Sequence, residues 1–257
     1  MLLIDTHAHL YLEEFEKDYI NVIKHAIASN VKKIIFPNID STTIDNLLSI
    51  VKKFPNNLYP LIGLHPTSVE EDFENEIKII ENYLKKQKFY GIGEIGLDFY
   101  WDTTFKDEQI KAFEMQLQIA KKNKLPAIIH TRDSFDDTLK IVHKQKTNNL
   151  TGIFHCFTGD EKQAQEIIDL GFYLGIGGIV TFKNSKLNSV LQNIDLQNIV
   201  LETDSPYLAP VPKRGKRNKS SYINYIAKKI ADIKNISIEE VAEVTTQNAI
   251  KIFAIKN

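Results

Sequence analysis

A single cysteine, Cys156, stands in 257 residues, which excludes an intrachain disulfide. No apolar run reaches the length of a transmembrane helix, and the amino terminus enters strand-like sequence without the basic region and long apolar core of a signal peptide. Cytoplasmic residence with no membrane association is therefore the expectation. Charge of one sign is lacking too. The 32 Lys and Arg against 33 Asp and Glu leave a formal net charge of −1, so no global positive field draws the chain to nucleic acid or membrane. Anion recognition must be local. No linker, low-complexity tract or repeat divides the chain. Its length and 43% hydrophobic content suit one α/β barrel or two smaller domains, and the regular layout favours one unit over 1–257, expected to be a monomer.

What is present is an alternation. Strand-like runs fall at 2–6, 33–36, 58–63, 90–94, 126–130, 151–155, 172–176 and 198–203. Amphipathic stretches at 15–29, 42–54, 70–87, 106–122, 133–145, 160–170 and 221–234 lie between or after them. Eight such units predict an α/β fold, a (β/α)8 TIM-like barrel with its active site at the carboxyl ends of the strands. An open doubly wound sheet would normally bring a glycine-rich loop after its first strand, and that place holds Thr6-His7-Ala8-His9.

Five of the seven histidines sit at or just beyond these strand ends: His7, His9, His65, His130 and His155. Glu94 and Asp204 occupy equivalent places. His7 and His9 are two apart and face one way in an extended chain, so they can share an ion. In a closed barrel the eighth strand lies beside the first, bringing Asp204 to that pair, while His130 and His155 on neighbouring strands can hold a second ion. Glu94 is the remaining ligand, and a carboxylate with two oxygens can bridge two cations where a neutral imidazole offers one lone pair. Four neutral histidines and two carboxylates against two divalent ions leave a charge of about +2, suited to phosphate. Such a pair would activate a water and steady the charge on attacking and leaving oxygens, with Glu94 and Asp204 as the catalytic carboxylates. Asp204 could also take the proton of that water. His25 and His143 fall on outer helices and read as surface residues. Cys156, next after His155, should face away from the site and pack under the helices. Glu202, two residues before Asp204, should hold a ligand in place.

The stretches Asp5-Thr6-His7-Ala8-His9, Gly63-Leu64-His65-Pro66, the Gly93–Tyr100 run, His130-Thr131-Arg132, His155-Cys156-Phe157-Thr158-Gly159 and the Glu202–Pro210 run resemble the TatD family of metal-dependent deoxyribonucleases, in particular its YcfH-like branch. They span nearly the whole chain, and the last is the most discriminating. The resemblance implies metal ligation by His7, His9, Glu94, His130, His155 and Asp204, and hydrolysis of DNA phosphodiesters. After the last stretch the family pattern runs through Pro-His-Arg-Gly-Lys to Asn-Glu-Pro. This chain reads Pro212-Lys213-Arg214-Gly215-Lys216-Arg217-Asn218-Lys219-Ser220, without the glutamate and proline.

Substrate contacts are expected from His65, from Arg132 through its planar fork, and from Tyr207 by stacking on a base or bonding a phosphate oxygen. The cluster Lys213, Arg214, Lys216 and Arg217 follows Asp204 and could hold phosphates flanking the scissile bond. The expected substrate is DNA, single-stranded or with frayed ends. Nitrogen-rich ligation suits zinc, manganese or iron better than magnesium. The alternative is a metallohydrolase of a small-molecule or aminoacyl-tRNA ester. Amide and lactone hydrolases of the same barrel class commonly bridge their metals with a carbamylated lysine where this chain has Glu94. A non-catalytic nucleic-acid-binding module is a third class, against which the full ligand set argues.

Overall fold

Alternating inward and outward side chains organise the whole molecule. In a computed structural model describing residues 1–147 and 149–256, eight short parallel strands alternate with helices. The strands are β1 Leu3–Asp5, β2 Val31–Phe36, β3 Leu58–Pro60, β4 Ile92–Asp98, β5 Ala127–Arg132, β6 Gly152–Phe154, β7 Tyr173–Ile176 and β8 Ile199–Leu201. The helices are α1 Tyr19–Ala28, α2 Ser41–Lys53, α3 Phe73–Lys86, α4 Lys106–Asn123, α5 Phe135–Gln145, α6 Glu161–Asp169, α7 Leu187–Asn193, α8 Ile223–Lys234 and α9 Ile238–Phe253. The last turn-and-helix pair is informative: α9 is absent from the sequence reading because Thr245, Thr246 and Asn248 interrupt its buried face. The short α7 is likewise missing from it.

Backbone pairing groups the strands as β1-β2-β3 and β4-β5-β6-β7-β8. Hydrogen bonds continue across both junctions. Ile62 bridges Ile92 in parallel, and Gly93 N donates to Ile62 O at 2.9 Å. At the other junction Ala8 bridges Ser205, Thr6 N donates to Leu201 O at 3.0 Å and His9 N donates to Ser205 O at 2.8 Å. Below that junction buried Asp5 accepts from Thr203 N at 2.9 Å and from Thr203 Oγ1 at 2.6 Å. The result is the expected TIM-barrel-like arrangement.

Two apolar layers follow from the period of two. Leu3, Ile34, Phe36, Ala127, Ile129, Phe154, Ile199 and Leu201 pack outward against the helices. Ile4, Ile35, Ile128, Ile153 and Val200 point inward and are plugged from below by Ala249, Ile252 and Phe253 of α9. β4 breaks this alternation. Ile92, Ile95 and Leu97 all belong to the outer layer, and the β4–β5 register shifts between Ile92 and Ile95. That single irregularity turns Glu94 inward, as a bulge re-aims a side chain. There the backbone pairs with Asn38, which accepts from Glu94 N and donates to Gly93 O, each at 3.0 Å. Gly96 lies at φ 140°, where a Cβ would strike the His130 carbonyl. Among the described residues no helix is long and apolar enough to cross a membrane.

Candidate metal centre

Counting in twos from the inner apolar layer gives the site. Two residues beyond Ile128 is His130, two beyond Ile153 is His155, and two beyond Val200 is Glu202. The bulge adds Glu94 and, four residues on along the same face, Asp98. His7 and His9 follow β1, and Asp204 turns in at φ 55° with its N–H donating to His7 O at 2.9 Å.

Glu94 is the hub. Its Oε2 lies 3.0 Å from His7 Nε2 and 3.4 Å from His9 Nε2. Its Oε1 lies 2.9 Å from His130 Nδ1, 2.8 Å from His155 Nε2 and 3.4 Å from His65 Nε2. Asp204 Oδ1 stands 3.8 Å from both His7 Nε2 and His9 Nε2. The His7 and His155 rings stack at 3.9 Å, and their Nδ1 atoms are buried without a hydrogen-bond partner among the described residues. Sets of His, Glu and Asp atoms close enough to hold an ion include His7 with His9 and Glu94, His7 with His155 and Asp204, and His65 with Glu94 and His130.

Tautomers decide which of these nitrogens can ligate. Tyr11 Oη donates to Pro37 O at 2.7 Å, so at its 3.0 Å contact with His9 Nδ1 the tyrosine oxygen accepts. His9 thus carries its proton on Nδ1, and Nε2 offers a lone pair to the centre. Asp98 Oδ2 lies 2.9 Å from His130 Nε2, which fixes the proton there and frees Nδ1. His65 is the reverse case. Its Nδ1 accepts from Thr67 N at 3.2 Å, so Nε2 keeps the hydrogen and faces Glu94 as a donor. The side chains that could hold an ion are therefore His7, His9, Glu94, His130, His155 and Asp204, while His65 donates to the Glu94 carboxylate. Neither Tyr11 nor Asp98 has a role in the sequence reading; Asp98 was signalled by its four-residue spacing from Glu94 on one strand face.

Glu202, fully buried, accepts from Cys156 N at 2.5 Å and places Oε1 3.5 Å from His155 Nδ1, an ion-pair distance without hydrogen-bond geometry. Gly175 makes room for it, since a Cβ there would collide with its carboxylate. Cys156 departs from the sequence expectation. β6 ends at Phe154, Cys156 turns at φ 48°, and strand alternation no longer governs it, so it borders the site cavity. Burial, then Asp204 and Glu202, push its thiol well above the ordinary range and keep it protonated.

Electrostatics follow the packing. Burial alone would raise the Glu94 carboxyl, but His155, His7, His65 and His130 hold it well below the usual carboxylate range. Burial lowers His7, reinforced by His155. His155 resists its own burial because Glu94 and Glu202 face it, and it rises well above the imidazole range. His130 is raised against its burial by Asp98 and Glu94. Asp204 is pushed by burial up to about 6, against the pull of His155 and His9. Ion-free protein therefore holds protons on ligands that must lose them to bind metal. The sign follows: divalent-ion affinity should rise as pH climbs from about 5 through neutrality, with net proton release. Calorimetric titration in two buffers of different ionisation enthalpy measures this, and identical heats in both would refute it.

The cavity over the centre measures about 640 Å³ and is bordered by His9, Glu94, Asp204, Arg132 and Tyr207 among others. Arg132 and Tyr207 thus stand at its mouth. The basic loop lies elsewhere. Arg217 grips Asp18 with two N–H groups at 3.0 and 2.6 Å and also donates to Glu14 O. Arg214 lies over the Phe182 ring at 4.5 Å, and Lys213 sits about 6 Å from the rings of Tyr222 and Tyr225. None of Lys213, Arg214, Lys216 and Arg217 borders the cavity. Asn218 anchors the loop, donating to Thr203 O and Tyr207 O at 2.7 Å each. His25 and His143 are exposed on α1 and α5.

Histidines and carboxylates converging at the carboxyl ends of barrel strands define a metal-dependent hydrolase. The chain belongs to the TatD family, whose profile, described as TatD related DNase, matches residues 4–254. It is 39% identical over 255 residues to metal-dependent hydrolase YabD of Bacillus subtilis, covering 99% of this chain and 100% of that one. Identity to metal-dependent hydrolase YcfH of Escherichia coli is 35% over 262 residues, covering 99% and 97%. To human deoxyribonuclease TATDN3 it is 31% over 267 residues, covering 98% and 94%. Among solved structures, the TatD homologue YjjV of Escherichia coli superposes with a TM-score of 0.93 at 26% identity, covering 99% and 98%.

Proposed function

We propose that the protein is a deoxyribonuclease that hydrolyses DNA phosphodiesters at a two-ion centre. One observation carries the reading: the two oxygens of Glu94 face separate histidine sets, His7 with His9 on one side and His130 with His155 on the other. A bound pair of divalent ions supplies an activated water and neutralises charge on the phosphate. His7, His9 and Asp204 would hold one side of that centre and His130 and His155 the other, with one Glu94 oxygen facing each. Asp204, which borders the cavity, would take the proton of the attacking water. Tyr11 and Asp98 keep the lone pairs of His9 and His130 turned inward. The deoxyribonuclease name of the human relative favours DNA over a small ester.

The experiment is a short DNA panel, single- and double-stranded, incubated with zinc- or manganese-loaded protein with and without chelator. Cleavage that chelator abolishes and metal restores is expected, with about two ions bound per chain. Intact DNA alongside hydrolysis of aryl esters or aminoacyl-tRNA would transfer the function to an ester substrate. DNA bound but neither cleaved nor chelator-sensitive would leave a binding module.

A further inference from the structure

Most large apolar side chains of the chain are buried, but Trp101 is 69% exposed and Tyr100 53%. Both rings meet edge to face at 4.9 Å, and the Arg132 guanidinium lies 3.8 Å from the Tyr100 centroid and 5.1 Å from that of Trp101. Trp101 and Arg132 also border the cavity over Glu94, as do Tyr207 and Leu208. Resting on the nuclease reading, we propose that Trp101, with Tyr100 and Arg132, forms a stacking site for one unpaired nucleobase beside the scissile phosphate.

The attachment of this pair to the centre supports the assignment. Asp98 Oδ1 accepts from Tyr100 N at 3.0 Å and from Trp101 N at 3.4 Å, while Oδ2 pairs with His130 Nε2 at 2.9 Å. One buried carboxylate thus fixes both a metal-facing histidine and the backbone that carries the aromatic pair. An exposed indole held in register with the centre, beside a guanidinium lying over the Tyr100 ring, matches the repeat of a nucleotide: planar base, then anionic linkage. An apolar protein partner would gain nothing from the guanidinium. A base pair inside a duplex offers no face to the indole, because stacking on its two neighbours already covers both.

Trp101 is the single tryptophan of the chain, so fluorescence excited where indole but not the ten tyrosines absorbs reads this site alone. Metal-loaded protein should show saturable quenching with a short phosphorothioate oligothymidylate, which resists cleavage, and none with a blunt duplex of equal length. On cleavable single strands, Trp101→Ala should raise KM roughly tenfold with kcat little changed, and Trp101→Phe should restore most of the loss. Replacing the base next to the cleaved bond by an abasic residue should cost parental protein the same factor and cost Trp101→Ala nothing more. DNA cleavage with emission unmoved by oligothymidylate, or an equal KM penalty of Trp101→Ala on normal and abasic strands, overturns the stacking site and leaves the nuclease standing. Failure of the parental protein to cleave any DNA overturns both.

Discussion

Glu94→Gln is expected to reduce bound divalent metal from about two ions per chain to one or fewer, and to cut hydrolysis at least about a thousandfold. The amide keeps the size of the side chain but carries no charge and leaves one oxygen in place of two. Each Glu94 oxygen now serves a separate histidine set, at 2.8–3.4 Å. Substitution therefore removes a ligand atom from one side and the negative charge from both, whereas His155→Ala, which empties one position, should weaken chiefly one ion. Elemental analysis and metal titration of the two variants distinguish these patterns. Two ions bound at parental affinity in Glu94→Gln would disprove the bridge and leave Glu94 as a hydrogen-bond partner of histidines that hold the ions without it.

Asp204→Asn should behave differently. Its oxygen stands farther from the histidines than those of Glu94, at 3.8 Å, and its position is set by a backbone hydrogen bond to His7 that asparagine retains. Affinity for one ion should fall roughly 10- to 100-fold, and excess metal should refill the site. At saturating metal kcat should still be about 10²- to 10⁴-fold below the parental value, because the amide cannot accept the proton. Full recovery of kcat by added metal would reduce Asp204 to a ligand alone.

Much of this centre was legible because barrel strands write their inner face at every second residue. His130 and His155 each sit two beyond an inward isoleucine, and reading strand ends located them directly. Glu94 was found for a less sound reason. It was placed at the end of a strand over 90–94, but β4 runs on to Asp98, and only the register shift turns Glu94 inward. Period-two counting carries no sign of a bulge. The same error hid Asp98, whose role appears once the strand is known to continue. Cys156 was misplaced because alternation was extended past the end of β6. Hydrogen-bond direction, which distinguishes His65 from the ligating histidines, depends on Thr67 and Tyr11 geometry that spacing does not encode. The basic loop shows the limit of charge counting: Arg217 is consumed by Asp18 across 199 residues of sequence.

The β1–β8 junction has a consequence for how the protein is made. His7 and His9 leave the ribosome long before the groups that fix them: Asp5 waits for Thr203, 198 residues downstream, and Thr6 waits for Leu201, 195 downstream. Throughout most of translation the first strand has one neighbour, β2, and an open edge of unpaired N–H and C=O groups. A nascent chain stalled before β8 would carry every histidine of the centre but neither Asp204 nor a partner for the open edge of β1, and long-range pairing of this kind is slow. The joining of Asp204 to the His7 side thus waits for β8, and the Ala8–Ser205 bridge acts as a clasp between the first strand and the eighth.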